Sequence, residues 1–245
     1  MRQPLLDFHS HILPGIDDGS KNLEMSMEMI RQSVSQGITG IVLTPHFYAD
    51  SDEPEAFLER RQGAADQLLP AARAEFPDMP FLLGAEVHYY RGMGQSALLE
   101  RFCIGNSNMV LVEMPFRSWS EKVLRDIEDI GSHLGLQVLI AHIDRYLSME
   151  KPAYIEALRY DAKAVIQANA DFFLQFRTRR KAIRMLRRGE IHLLGSDCHN
   201  MGVRAPNLGP AVSYIEAKLG PDALAAVNAQ GERVFRQAAK TPGGV

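Results

Sequence analysis

Asp7-Phe8-His9-Ser10-His11 closes the first apolar run of the chain, residues 5–9. An extended strand turns alternate side chains to one side. His9 and His11 therefore point the same way, with Asp7 lined up behind them. Two converging imidazoles can hold a metal ion. Alone, a His-x-His is as readily a pair of surface or turn histidines. The rest of the chain decides between these readings, because acidic residues and histidines recur at the ends of later apolar runs.

Those runs are residues 40–44, 81–88, 109–114, 137–142, 164–170 and 191–196. Between them, helical periodicity covers 23–36, 54–75, 121–134, 152–163 and 176–188, with a last helical region over about 208–227. Ser118 or Ser120 before Glu121, and Ser51 or Asp52 before Pro54, supply N-cap chemistry. Strand–helix alternation with short connections predicts a parallel α/β fold. About seven repeats favour a closed or nearly closed, TIM-like (β/α)7 barrel over an open sheet. No linker or low-complexity segment interrupts the pattern, so residues 1–245 read as one domain, frayed only at 241–245.

Composition narrows the function. The 245 residues are 46% hydrophobic, ordinary for a globular chain of this length. A formal net charge of −3 gives no global signal for nucleic acid. The run Arg177 to Arg188 (RTRRKAIRMLRR) is locally basic and reads as a solvated helix face, an acidic partner, neighbouring subunit or membrane being the other readings. Cys103 and Cys198 are far apart and suggest no disulfide framework. No signal-type segment or membrane-length apolar run is present. A soluble cytoplasmic protein is expected.

Working residues of parallel barrels sit at the C-terminal ends of strands. Here the first strand leads into His9, His11 and the loop carrying Asp17 and Asp18. The second ends at His46, the third carries Glu86 and His88, the fourth ends at Glu113, and the fifth at His142, Asp144 and Arg145. The sixth ends in Gln167 and Asn169, and the last in Asp197, His199 and Arg204. Buried carboxylates and imidazoles facing one another are costly unless cations neutralise them. Mixed nitrogen and oxygen donors suit manganese, iron or zinc better than calcium.

The strings DFHSHILPGIDDGS (7–20), LTPHF (43–47), GAEVH (84–88), VEMP (112–115), AHIDRY (141–146), QANA (167–170) and GSDCHN (195–200) carry a family resemblance. In their order, the chain resembles the PHP (polymerase and histidinol phosphatase) superfamily, and within it the CpsB/YwqE-type bacterial protein-tyrosine phosphatases. The resemblance implies a distorted barrel with three divalent ions, manganese first among candidates, at its mouth. Carried over, His9, His11, Glu86 and Asp197 surround the first ion. Glu86 bridges to a second held by Glu113 and His142, and Asp18, His46 and His199 hold the third. Asp17 competes with Asp18 for that role. Arg145 and Arg204 match the phosphate-binding arginines. The implied reaction is attack on phosphotyrosine by a hydroxide bridging two metals, with the arginines neutralising equatorial charge. The implied substrate is a phosphotyrosine protein, such as a tyrosine autokinase of capsule or exopolysaccharide assembly. Two rivals are a small-molecule phosphatase of the histidinol-phosphate type and a non-catalytic, metal-stabilised regulatory module. Nothing predicts nucleic-acid binding or membrane insertion; a homo-oligomer is open.

Other residues compete for attention. Cys198 to Arg204 satisfies the bare C-x5-R spacing of cysteine-dependent phosphatases, but that loop has one glycine and runs into Ala205-Pro206. Alternation turns Cys198 away from Asp197 and His199. His88 lies within reach of the site as a supporting group. His133, in a helix, and His192, at a strand start, read as structural. Trp119 and Phe116 line a cleft or pack. Gln167 and Asn169 read as donors behind the ligands. Ile143-Asp144 replaces the family's common Pro-Glu, and Phe47 its second loop histidine.

Overall fold

The structure, a computed structural model, describes residues 4–238, so the expected fraying at 241–245 lies outside the described residues. In chain order the elements are β1 (Leu5–Asp7), α1 (Leu23–Ser35), β2 (Ile38–Leu43), β3 (His46–Phe47), α2 (Pro54–Glu75), β4 (Phe81–Leu83), β5 (Glu86–His88) and β6 (Met109–Glu113). Then follow α3 (Glu121–Leu134), β7 (Gln137–Ile140), α4 (Pro152–Tyr160), β8 (Val165–Asn169), α5 (Ala170–Leu174), α6 (Arg179–Arg187), β9 (Leu193–Gly195), α7 (Leu208–Leu219) and α8 (Ala225–Ala238). All strand pairs are parallel, in the orders β1-β2-β4 and β3-β5-β6-β7-β8-β9. The result is an α/β fold whose parallel sheet curves as a half-barrel. Beyond the ladders, Phe8 N donates to Leu194 O (3.1 Å) and Asp197 N to His9 O (2.7 Å), which sets the end of β1 beside β9.

The structure corrects several sequence boundaries. The run 81–88 is two strands, broken at Gly84-Ala85, and a short β3 follows Thr44-Pro45. Proline lacks an N–H and cannot donate to a ladder, so β2 is interrupted there. The helical region 208–227 divides at Gly220-Pro221, and its second half runs on to Ala238. The helix expected over 176–188 begins at Arg179, after the separate α5. Neither anticipated cap is made: Ser120 precedes α3 without a side-chain bond to it, and Asp52 accepts instead from Tyr48 N at 3.0 Å.

Strand alternation builds two apolar layers. Outward residues such as Ile41, Val110, Val112, Val138 and Ile140 pack with the helices. In α3, Val123, Ile127 and Ile130 form the buried stripe expected at helical spacing. Inward residues Leu6, Val42, Leu82, Met109, Leu139, Val165 and Leu193 form a second cluster with Val234, Phe235 and Ala238 of α8. The last helix thus plugs the N-terminal end of the strands. Phe235 meets Phe8 edge-on at 5.4 Å. Gly231 lets the helix approach, since a Cβ there would lie 2.9 Å from the Phe8 ring and 3.0 Å from Leu6. With that end filled, the polar groups are left at the other.

Candidate metal centre

Every ligand candidate comes from a segment at or just beyond a strand's C-terminal end. His9 and His11 follow β1, His46 opens β3, Glu86 opens β5 and Glu113 ends β6. His142 lies just past β7, while Asp197 and His199 follow β9. The β1 strand ends at Asp7, so regular alternation stops before the histidines. Their side chains still converge, with the two Nε2 atoms 3.1 Å apart. Asp7 hydrogen-bonds to neither ring. Its carboxylate accepts from Ser196 Oγ (2.6 Å), Ser196 N (2.9 Å) and His9 N (3.2 Å), clamping β1 to the β9 loop. Burial pushes its pKa up to about 6 against those bonds. At Gly195 a Cβ would lie 2.6 Å from that of His9 and 2.7 Å from Gln167 Nε2, so the ligand loop needs glycine beneath it.

Glu86 is the hub. Its Oε2 lies 3.1 Å from His9 Nε2, 3.2 Å from His11 Nε2 and 3.0 Å from His46 Nδ1, and its Oε1 lies 2.8 Å from His142 Nε2. His142 Nε2 is also 3.3 Å from Glu113 Oε1. On the other side, Asp18 Oδ1 is 3.6 Å from His46 Nε2 and 3.4 Å from His199 Nε2. Asp197 Oδ1 stands 3.6 Å from His9 Nε2 and 3.5 Å from His11 Nε2. All nine expected ligands therefore join one continuous basin. Three ligand-sized groups stand out within it: His11, Asp18, His46 and His199; His9, His11 and Glu86; and His46, Glu86 and Glu113. His11, His46 and Glu86 are each shared between two groups.

The pair Asp17–Asp18 separates by role. Asp17 Oδ2 lies 2.7 Å from His11 Nδ1 and accepts from His46 N at 3.0 Å, while Oδ1 accepts from Gly19 N at 2.9 Å. It fixes the rear nitrogen of a candidate ligand, His11, and Asp18 faces the basin. Burial opposes ionisation of Asp17, but His11 and these N–H groups hold its pKa down at about 2. His88 Nδ1 lies 2.9 Å from Glu113 Oε2, within reach of the site. Gln167 Oε1 accepts from His142 N (2.5 Å) and lies 3.3 Å from His9 Nδ1. Its amide donates to Asn169 Oδ1 (2.9 Å), and Asn169 Nδ2 donates to Asp197 Oδ2 (2.8 Å). The strand end lacking acid or imidazole thus supplies an amide chain behind three candidate ligands. His142 and Asp197 hold left-handed backbones, φ 30° and 53°. That conformation costs about 1 kcal/mol or more for a non-glycine residue and is typical of constrained sites.

The donor set fits divalent cations. His46 Nδ1 and Glu86 Oε2, though 3.0 Å apart, are not in hydrogen-bond geometry, and with His199 Nε2 they are buried without a hydrogen-bond partner, an arrangement protein groups alone leave costly. Burial resists charging of His11, yet Asp17 and Glu86 lift its pKa to about 10. His142 rises likewise to about 9 beside Glu113 and Glu86. Glu86, despite complete burial, is held well below the carboxylate range by the surrounding histidines. Protons and cations thus compete for the same nitrogens.

Arg145 and Arg204 both reach Asp197: Arg145 Nη2 to Oδ2, and Arg204 Nη2 to Oδ1 at 2.7 Å. They are turned onto the Asp197 carboxylate and line a cavity of about 410 Å³ beside the basin. Cys198 is fully buried, and burial raises its thiol pKa above the usual range, the opposite of an activated nucleophile. Trp119 is buried, its indole N–H donating to Pro115 O at 3.0 Å, so it packs. Phe116 is half exposed and stacks 6.0 Å from His142. Tyr48 was not singled out in the sequence. It stacks on His46 at 5.2 Å and is partly exposed, and its position two residues beyond that candidate ligand in an extended run was the available signal. Phe47 lies in the core, and His192 Nδ1 accepts from Ile166 N at 2.9 Å, away from the site.

The sequence model of the family described as "Capsular polysaccharide synthesis, CpsB/CapC" matches residues 5–234. The chain belongs to the CpsB/CapC family. Among relatives, tyrosine-protein phosphatase YwqE of Bacillus subtilis is 30% identical over 227 residues, covering 89% of this chain and 86% of YwqE. Tyrosine-protein phosphatase CpsB of Streptococcus agalactiae serotype III is 28% identical over 232 residues, 89% of this chain and 92% of that protein. A solved structure from work on B. subtilis YwqE and Streptococcus pneumoniae CpsB, described as "unique metal-dependent tyrosine phosphatases", matches with a TM-score of 0.81 at 25% identity, covering 97% and 96% of the two chains. The phosphotriesterase of Mycobacterium tuberculosis, 11% identical with a TM-score of 0.53 over 96% of this chain and 94% of that one, shares the fold alone.

Proposed function

We propose that this CpsB/CapC-family chain is a metal-dependent protein-tyrosine phosphatase, acting on a tyrosine-phosphorylated protein such as an autokinase of capsule or exopolysaccharide assembly. One observation carries the reading: a buried Glu86-centred basin of imidazoles and carboxylates, with Arg145 and Arg204 at its open edge. The names of the relatives support it. In this reading residues 1–245 form a single domain, and the β1–β9 hydrogen bonds support a distorted seven-stranded barrel. The ligand assignment is three ions, manganese before iron or zinc, held by His9, His11, Asp18, His46, Glu86, Glu113, His142, Asp197 and His199. No helix among the described residues is long and apolar enough to cross a membrane. Two buried, unpaired cysteines support a reducing cytoplasm.

Bound divalent ions supply Lewis-acid neutralisation and a water ionised near neutral pH. The chain's own groups do the remainder. The Arg145 and Arg204 guanidinium groups keep N–H donors free of Asp197 and present them to equatorial phosphoryl oxygens. Phe116 and Tyr48, half-exposed rings flanking the basin, hold the aromatic leaving group between them. A phenolate of pKa near 10 departs with less help from an acid than an alkoxide does.

The test is metal analysis coupled to a substrate panel. A phosphotyrosine peptide is turned over, histidinol phosphate is not, and His142→Ala loses more than about 100-fold in kcat while keeping its fold. Preference for histidinol phosphate points to the small-molecule rival, and no turnover with metal bound points to a regulatory module.

A further inference from the structure

The basic run at 177–188 is unaccounted for by the metal centre. Arg177, Arg180, Lys181, Arg184, Arg187 and Arg188 are all exposed. At about 100° per residue they fall within roughly a third of the circumference of α6 and its flanks. None of the six makes an ion pair among the described residues. Glu190, the nearest acid in sequence, is engaged with Arg159 at 3.6 Å. Arg179 is set apart from the stripe, over the rings of Phe176 (4.9 Å) and Tyr214 (5.5 Å). The first turn of α6 contains no acid, although the helix dipole favours one there. Folding does not explain this placement: like charges repel along one face of a chain whose net charge is −3.

The stripe is continuous with the site. Thr178, at the start of α6, lines the same cavity as Arg145 and Arg204. Lys181 Nζ donates to Leu147 O at 3.4 Å, on the loop that carries Arg145. The carboxylates on the cavity wall are engaged: Asp144 accepts from Asn169 N at 3.1 Å, and Asp171 from Asn207 Nδ2 at 2.7 Å. The opposite face of α6, Ala182, Met185 and Leu186, is buried in the core, so the helix has no apolar face to insert into lipid.

We propose that the exposed face of α6 is a docking surface for an acidic stretch of polypeptide flanking the substrate's phosphotyrosine. The proposal rests on the phosphotyrosine reading. A nine-residue helix is about 13 Å long, the reach of about four extended residues. Asp or Glu side chains along such a stretch meet the stripe while the phosphoryl group lies at the basin.

The experiment compares the metal-loaded wild type with the triple variant Arg180→Gln, Arg184→Gln, Arg187→Gln. Glutamine keeps helix propensity. Substrates are phosphotyrosine peptides of equal length with a four-residue flank of Glu or of Ser, on either side, plus p-nitrophenyl phosphate. The expected result is a preference of about tenfold in kcat/KM for one acidic-flanked peptide, carried by KM and lost at 0.5 M salt. The triple variant loses that preference and keeps the p-nitrophenyl phosphate rate. Equal turnover of both flanks, or a preference that survives in the variant, overturns docking while leaving the phosphatase reading intact. Hydrolysis of p-nitrophenyl phosphate with no peptide turned over overturns both. If the wild type, but not the variant, pellets with phosphatidylserine vesicles and the flank preference is absent, the face binds membranes and the proposal is wrong.

Discussion

Cys198 sits between two ligand candidates, Asp197 and His199, six residues before an arginine that reaches the site. Spacing alone leaves it a possible nucleophile; burial and a raised thiol pKa remove it. Cys198→Ala is therefore expected to keep activity within about threefold and to cost about 1 kcal/mol of stability for the small cavity, while chelation abolishes turnover. Activity of that variant on a phosphotyrosine peptide, with and without chelator, checks this; loss on substitution together with resistance to chelation contradicts it. At this scale the candidate ligands were legible, because imidazole and carboxylate at successive strand ends have few other uses. The division of labour between Asp17 and Asp18 was not, since adjacent loop residues differ only in where the turn aims them.

Among the elements, α3 and α2 were readable to the residue, because each carries its own buried stripe and boundaries. The split between β4 and β5 was hidden in a run of uniform apolarity, and the last helical region was read only as far as about Val227, short of most of α8. Its apolar residues are spaced for a helix, but nothing local says that they fill the inner end of the sheet. Phe235 bears the weight of that contact, with Phe8 and Leu6 around it. Phe235→Ala is expected to destabilise by about 3–5 kcal/mol, seen as a lower denaturation midpoint in urea. Activity measured well below the unfolding temperature stays close to wild type, since the candidate ligands occupy the opposite end. A midpoint unchanged within error contradicts the plug.

Across the whole molecule, the basin links charge, metal and stability. In the metal-free protein His11 and His142 titrate at about 10 and about 9, above the ordinary histidine value of 6.5, because the carboxylates beside them outweigh burial. Such groups stabilise the fold fully below pH 6.5, and that contribution disappears as pH rises through 9 to 10. The thermal midpoint of chelated protein is therefore expected to fall between pH 7 and pH 10. The loaded protein behaves oppositely on the acid side, losing metal and stability as its imidazoles protonate. Thermal scans with and without chelator check both limbs, and parallel profiles contradict the account. The sequence by itself determined the alternating α/β class and singled out the candidate ligand side chains and the two arginines, because periodicity and chemical type are local properties of the chain. Only the tertiary structure decided that Glu86 is the hub, that Asp17 backs His11, that the arginines rest on Asp197 and that α8 seals the far end. Those are distances between residues far apart in sequence, fixed by how the strands twist and pack.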